Sequence, residues 1–469
     1  MKMKFGMTVA RVIVLALLVV PSGAGGQDSM AVGTLKELRL SLKDCVDLAL
    51  DQNTQISQGK FTRDFEDSGI DLARNAFLPR LSSSWGISRT INGPREGQFI
   101  DESTGLLTTT VGESRASGNQ SVGGTLNMSV FDASDFASLS ASKNSYRASS
   151  LILENTEQNV MFQVKQGYFE LLKSMSLLEV QQEQLRVSEE NLRRSETLNE
   201  IGSSPISEVF GARAQLERDR VLLITRENNV ELARLDLGFT IGFGTNVRII
   251  PTEDEFDQDW ETTDLQTALG QSVQHPALMA DRYQMLEAKD NLRATQLGVR
   301  MPTLSMTARY SWDLGRDEEF RGIEDLFLKN YRYVVSFNVN IPIFNNLSTA
   351  TSVRRQKILY MRSLEHYDEA KRQRALNVER SLLNIERLKR NIQASEAAVT
   401  SAEQEFRLQD EAYNFGAGTF LQRQTAQVNL FNQRSTLVQA TYDLQIEKAN
   451  YDRLVGTHVD SKALRDEID

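Results

Sequence analysis

Apolar residues recur every seven positions over long stretches of this chain. Val164, Leu171, Leu178, Leu185 and Leu192 form one series, and Val378, Ile385, Ile392, Val399 and Phe406 form another. A second series follows each: Leu216, Leu223, Val230 and Leu237, then Leu430, Leu437, Leu444 and Tyr451. Sustained sevens hold one face of a helix against a partner along its length, with left-handed supercoiling. No proline interrupts residues 133–202. The pattern therefore predicts a helix over about 133–201, roughly 100 Å long. The same reading places helices over about 41–76, 205–240, 264–300, 346–415 and 419–456.

Four shorter segments alternate instead. In Leu304-Ser305-Met306-Thr307-Ala308-Arg309-Tyr310-Ser311-Trp312 the even positions are apolar or small and the odd ones polar; residues 333–341 alternate likewise. Residues 81–87 and 125–130 are their counterparts in the first half. The predicted strands run over about 80–91, 121–131, 303–314 and 332–344. Alternating runs of this length, carrying Trp85, Tyr310, Trp312 and Tyr333, match membrane strands with one face to lipid and one to a polar lumen. Water-soluble hairpins alternate equally well; export, argued below, favours the membrane. Long polar loops, about 92–119 and 315–330, join the strands of each pair.

The two halves repeat one plan. Leu42 to Val46 aligns with Leu265 to Leu269, and Pro79 with Pro302, both at a displacement of 223. Gly202 aligns with Gly416, Ala212 with Ala426 and Leu216 with Leu430, all at 214. The register changes between Pro79 and Phe131, so the extra residues of the first half lie in its outer loop. Residues 27–250 form the first repeat, 251–457 the second and 458–469 a short tail. At each long helix end stands a glycine-bearing turn. Gly202 is placed as a C-cap with Ser204 as N-cap and Pro205 at the first helical position. Gly416, Ala417 and Gly418 precede Thr419, an N-cap with Gln422 three residues on.

Residues 1–26 read as a signal peptide. Lys2, Lys4 and Arg11 precede an apolar run from Val12 to Val20, and small residues from Ser22 to Gly26 follow. That run is far short of the ~20 residues a spanning helix needs. Removing the segment takes three basic residues and no acidic ones, so the net charge of −10 becomes −13. An acidic chain is a poor partner for nucleic acid. The single cysteine, Cys45, lies among Leu42, Val46, Ala49 and Leu50 at helical spacing and reads as a small core residue. No cysteine stands immediately after the cleavage region, so lipidation is not expected.

Four strands cannot close a membrane barrel, and an open edge in lipid is untenable. Several chains must therefore share one. Two would supply eight strands, just enough for side chains to fill the interior; a conduit favours three or more. At this point the chain resembles the TolC-type outer-membrane efflux proteins. The likeness runs from Leu38 to Gly456. It is carried by Leu40-Ser41-Leu42 to Asn53, the strand after Pro79, Phe131-Asp132, Pro342-Ile343-Phe344-Asn345 and both glycine-bearing tips.

That resemblance implies a mainly α fold with a membrane β-barrel portion. Four strands per chain would enter a shared 12-stranded barrel of a homotrimer, continued by a long coiled α-helical periplasmic tunnel. It further implies an outer-membrane location, contact with outer-membrane lipid, and partners in a periplasmic adaptor and an inner-membrane pump of RND or ABC type. The function implied is a passive duct, part of a tripartite efflux or type I secretion system, exporting small molecules or proteins. Gly202, Ser204, Pro205, Gly416, Gly418 and Thr419 would meet the adaptor. Glu208 stands where the family has an acidic gate residue, and Tyr413 where a tyrosine contacts it. A basic gate partner is replaced by Gly418, with Arg423 nearby, and the carboxylates of the narrowest ring fall at Gln422 and Thr425.

Nothing in the sequence calls for catalysis or a cofactor. His275, His366 and His458 lie far apart, no phosphate-cradling glycine motif occurs, and no metal-ligand spacing is present. His275-Pro276 aligns with Asn53-Thr54 and reads as a turn. The competing interpretation is a soluble periplasmic coiled-coil scaffold or adaptor, which would share the heptads and the signal peptide.

Overall fold

The computed structural model describes residues 36–456, apart from positions 101, 104, 245–246, 253–263, 315–330 and 345–346. The segments expected as signal peptide (1–26) and second outer loop (315–330), Asn345 and the tail with His458 lie outside the described residues. The first repeat comprises β1 (Lys36–Leu40), α1 (Leu42–Gln52), α2 (Thr54–Arg74), a 3-10 turn (Asn75–Phe77), β2 (Arg80–Asn92), β3 (Glu96–Ile100), β4 (Leu107–Val111), β5 (Arg115–Phe131), α3 (Ala133–Glu200) and α4 (Ile206–Ile241). The second comprises β6 (Val247–Pro251), α5 (Leu265–Ser272), α6 (Pro276–Gly298), β7 (Thr303–Leu314), β8 (Tyr331–Asn340), α7 (Ser348–Asn414) and α8 (Phe420–Val455).

Several boundaries differ from the sequence pattern. The helices expected over 41–76 and 264–300 are each two helices. Asn53 ends α1 and caps α2 by accepting from Gln55 N at 2.7 Å, while its Nδ2 donates to Thr240 O at the end of α4, also at 2.7 Å. His275 holds the equivalent corner: Nδ1 accepts from Ala277 N at 3.1 Å, and Nε2 lies 3.0 Å from Arg453 O near the end of α8. With Nδ1 accepting, the ring is neutral and carries its proton on Nε2. An asparagine and a histidine thus make the same clasp, each offering one acceptor and one donor. The polar loop at 92–119 carries the β3–β4 hairpin, and β5 begins at Arg115, earlier than the alternation indicated. β8 ends at Asn340, before Pro342.

The sheet runs β2-β5-β7-β8, antiparallel throughout. Its register aligns like with like. Leu81, Leu126, Ala308 and Val335 form one row across the strands, and Trp85, Val122, Trp312 and Tyr331 another on the same face. Rows of the opposite face include Arg80, Asn127, Thr307 and Ser336. Strands of 13 residues in β2 and 10 in β8, tilted as in membrane barrels, span ~25–33 Å. The long edges of β2 and β8 carry no strand partner among the described residues.

Helices α3 and α7, of 68 and 67 residues, extend away from the sheet. On the sheet side the order is α2, α3, α6, α7; on the far side it is α4, α3, α8, α7. Between them, β1 pairs in parallel with β6 and joins the repeats. Two cores lie at this level. Cys45, Val164, Leu171, Val230, Leu237 and Ile241 are buried in one; their repeat mates Ala268, Val378, Ile385, Leu444, Tyr451 and Val455 are buried in the other. Further out the heptads change character. Leu178, Leu185 and Leu192 are only half-buried, while beyond Leu177 the buried residues of α3 are Gln181, Gln184, Ser188 and Ser195.

Burial holds the His275 imidazole neutral and depresses its pKa to about 3. Because the unfolded chain takes up that proton below about 6.5 and the folded one does not, His275 stabilises the fold above that value and loses the contribution as pH falls toward 3. His275→Ala is expected to lower stability by about 1–2 kcal/mol at neutral pH. His275→Asn, reproducing the first-repeat clasp, should retain most stability and show a flatter profile between pH 6.5 and 3. Thermal unfolding of the three forms across that range checks both.

Candidate gate at the helical tips

The free ends of the long helices bring the two repeats together. Gly202 and Gly416 take left-handed conformations, φ +77° and +73°, which only glycine adopts without strain, and each reverses the chain within a few residues. In the first turn α4 begins at Ile206, one residue later than expected. Pro205 occupies the cap, with no side-chain cap bond. Ser204 does not cap the helix; its carbonyl accepts from Asn199 Nδ2 at 2.8 Å. In the second turn Thr419 and Gln422 form a reciprocal capping box. Gly202, Pro205, Gly416 and Thr419 are exposed, whereas Ser204 and Gly418 are half-buried. A Cβ on Gly418 would lie 3.1 Å from Tyr413 N and 3.2 Å from two Ala412 carbons. The residue is small because the turn folds back on the last turn of α7.

Glu208 in the first turn of α4 and Tyr413 near the end of α7 meet: Tyr413 Oη donates to Glu208 Oε2 at 2.7 Å. Two cations approach the tyrosine ring. Arg423 of α8 lies 5.4 Å and Arg194 of α3 5.7 Å from its ring centroid, each in reach of a cation–π attraction. Asp410 faces both cations, 2.5 Å from Arg423 Nε and 3.9 Å from Arg194. Phe420 meets Tyr413 edge-on at 6.4 Å between centroids. Gly211 permits this approach, since a Cβ there would lie 3.1 Å from Phe420 Cε1. Burial, and then the bond to Glu208, raise the Tyr413 pKa to about 12. Gln422 and Thr425 are exposed on the same turns of α8.

Behind this contact the seam between repeats is polar. Arg423, nearly fully buried, donates to Asn191 Oδ1. Asn191 Nδ2 donates to Gln427 Oε1 at 2.6 Å, Gln427 Nε2 to Ser188 Oγ at 3.3 Å, and Ser188 Oγ to Asp219 Oδ2 at 2.6 Å. Gln184 and Gln215 complete the Asp219 carboxylate at 2.7 and 3.0 Å. Buried polar groups are tolerated when bonded in this way. Sequence reasoning named Glu208, Tyr413 and Arg423 but missed Arg194, Asp410 and this ladder. A signal was present: Gln181, Gln184, Ser188, Asn191 and Ser195 follow the three-four spacing of a heptad seam.

A sequence profile described as "Outer membrane efflux protein" matches residues 45–242 and 270–457, one match in each repeat. The chain belongs to the outer membrane efflux protein family. Its relatives include the outer membrane protein TolC of Vibrio cholerae serotype O1, 20% identical over 435 residues covering 92% of this chain and 94% of that protein. TolC of Escherichia coli strain K12 is 22% identical, covering 86% of this chain and 80% of that one. Among solved structures, the Campylobacter jejuni CmeC outer membrane channel superposes with a TM-score of 0.75 at 17% identity, covering 91% and 88% of the two chains. VceC of Vibrio cholerae gives 0.73 at 15%, covering 88% and 96%.

This family member is a channel subunit of the outer membrane that serves efflux, and its family consists of transport ducts rather than enzymes. The soluble scaffold is thereby set aside. The sheet with one apolar and one polar face is the part that enters the bilayer. The tips lie at the opposite end of helices roughly 100 Å long.

The absorbance difference between the wild type and Tyr413→Phe isolates this phenol from the other ten tyrosines. It is expected to titrate near pH 12 rather than near the ordinary ~10. Because a raised phenol pKa stabilises the fold fully below ~10 and less as pH climbs to about 12, the two proteins should converge in stability over that interval.

Proposed function

We propose that three copies of this chain form one export duct. Its periplasmic end is closed by the Glu208–Tyr413 latch, and it opens when an adaptor bound at the tips parts the two hairpins. The observation that carries the reading is the pair of unsatisfied edges. β2 and β8 leave their outer backbone groups without a strand partner among the described residues, which lipid cannot tolerate. β2 and β8 also run in opposite directions, so β8 of one copy can pair antiparallel with β2 of the next. That contact is heterologous and closes into a ring. Three copies supply twelve strands, wide enough for a lumen.

The helical edges support the same arrangement. Phe61, Phe65 and Phe239 on the α2–α4 flank are exposed, as are Ile358, Met361 and Leu383 on the α7 flank. Apolar flanks of this extent are expected to meet in a neighbouring copy. Residues 1–26 would be removed on export, leaving repeats 27–250 and 251–457 and the tail 458–469. Gly202, Ser204, Pro205, Gly416, Gly418 and Thr419 form the surface for a periplasmic adaptor, which links the duct to an inner-membrane pump of RND or ABC type. No step of this function asks for a cofactor or for chemistry at a side chain. With Gln422 and Thr425 in place of carboxylates, the constriction would lack the charge that holds cations.

Outer-membrane fractions should contain an SDS-resistant trimer; a soluble periplasmic monomer would refute the proposal. In planar bilayers, Glu208→Ala with Tyr413→Phe is expected to raise single-channel conductance several-fold. Loss of about 1 kcal/mol per copy shifts a three-latch equilibrium on the order of 100-fold. Conductance unchanged from wild type would remove the latch from the mechanism.

A further inference from the structure

Where the second repeat leaves the sheet, a cavity of about 520 Å³ opens between the end of α6, the turn after β8 and the first turns of α7. Its walls include Ile343, Phe344 and Val353 together with Arg300, Arg354 and Lys357. The apolar members are unusually bare: Ile343 is 93% and Phe344 81% exposed. The cations have no carboxylate partner among the described residues. No Asp or Glu occurs in residues 291–312 or 331–364, although the whole chain carries a charge of −10. An acidic protein has concentrated unopposed positive charge at one level.

The fold does not require this. By the repeat displacements, Arg300 corresponds to Phe77, Arg354 to Ser140 and Lys357 to Lys143. The first repeat builds the same strand-to-helix junction with one of the three cations, and opens α3 with Asp132 and Asp135 instead. The position explains what a structural demand does not. β7 begins at Thr303 and β8 ends at Asn340, so the cavity lies just past the apolar band, at the depth of the lipid phosphates. Thr349 and Ala350 of the cavity wall also belong to the first turn of α7, whose free N–H groups favour an anion.

We propose that this cavity binds the phosphate headgroup of an anionic phospholipid of the periplasmic leaflet. Arg300, Arg354 and Lys357 meet the phosphate, and Ile343 and Phe344 lie among the acyl chains. Basic pockets at the membrane surface recognise anionic headgroups in this way, each cation contributing about fivefold in affinity. The assignment rests on the membrane placement of the sheet. It adds an anchor at the second-repeat junction of every copy, which fixes the depth of the barrel independently of the tips.

The test uses the full exported chain, purified from outer membranes in a mild detergent, stripped of lipid and titrated with phosphatidylglycerol, phosphatidylcholine or inorganic phosphate. Retention and oligomer size are read together by native mass spectrometry. The wild type is expected to prefer phosphatidylglycerol. Arg300→Gln with Arg354→Gln and Lys357→Gln should weaken that binding about 100-fold, while Lys371→Gln with Arg372→Gln and Arg387→Gln, on α7 outside the cavity, should not. Arg354→Ser, the residue of the first repeat, is a milder variant expected to lose about fivefold with the trimer intact. Unchanged phosphatidylglycerol binding by the triple variant overturns the proposal. So does inorganic phosphate binding as tightly as the lipid. Trimer dissociation in both cavity variants would assign the cavity to the neighbouring copy instead. Absence of the chain from the outer membrane would overturn this inference and the export reading together.

Discussion

Everything in this chain answers to one constraint: a backbone placed in lipid must satisfy its own hydrogen bonds. A four-stranded sheet cannot do so alone. Its apolar and polar faces are already sorted by register, but the outer edges of β2 and β8 lack a strand partner among the described residues. The chain is therefore a segment of an assembly rather than a finished object. The same incompleteness recurs below the sheet, where apolar side chains line the outer helices α2, α4 and α7.

Away from the membrane the energetic problem reverses. Helices of 68 and 67 residues would be hard to move if sealed by hydrocarbon along their full length. Leucine and valine packing is concentrated at the level of the β1–β6 pair. Toward the tips Val209, Leu216, Leu430 and Phe431 are still buried, but they share the interior with glutamine, serine and a fully buried aspartate, Asp219. Hydrogen bonds are directional and can exchange partners, whereas a close-packed core resists displacement. The polar seam ends at Tyr413, whose ring is approached by two guanidinium groups and whose hydroxyl bonds Glu208. The polar character of the interior near the tips thus follows from which residues occupy the heptad seam there.

The two repeats solve the same folding problem with different residues. Asn53 and His275 perform one clasp with different chemistry, so the geometry rather than the residue type is what the fold demands. Cys45 and Ala268 fill equivalent core positions with small side chains. Where the halves differ, the difference marks something beyond folding: the β3–β4 hairpin on the outer side, and the cations beneath β8.

The heptads, the alternating strands and the paired glycine turns were all legible in the sequence, because periodicity reports which face of an element is covered. So were Glu208 and Tyr413, through the family likeness, and the buried Cys45. The breaks at Asn53 and His275 were not, since each depends on a carbonyl some 180 residues away that accepts from its side chain. The positions of Arg194 and Asp410 around Tyr413 were equally hidden. With Arg423 they come from three helices, and no local pattern records that α3, α7 and α8 converge. Nor could hydropathy show that Leu178 and Leu185 would be half-covered while Gln181 and Gln184 were sealed. By itself the sequence determined which elements form and that they form twice. Only the tertiary structure decided which side chains meet at the tips, because that depends on how long helices cross, and a small rotation at the core displaces their far ends by ångströms.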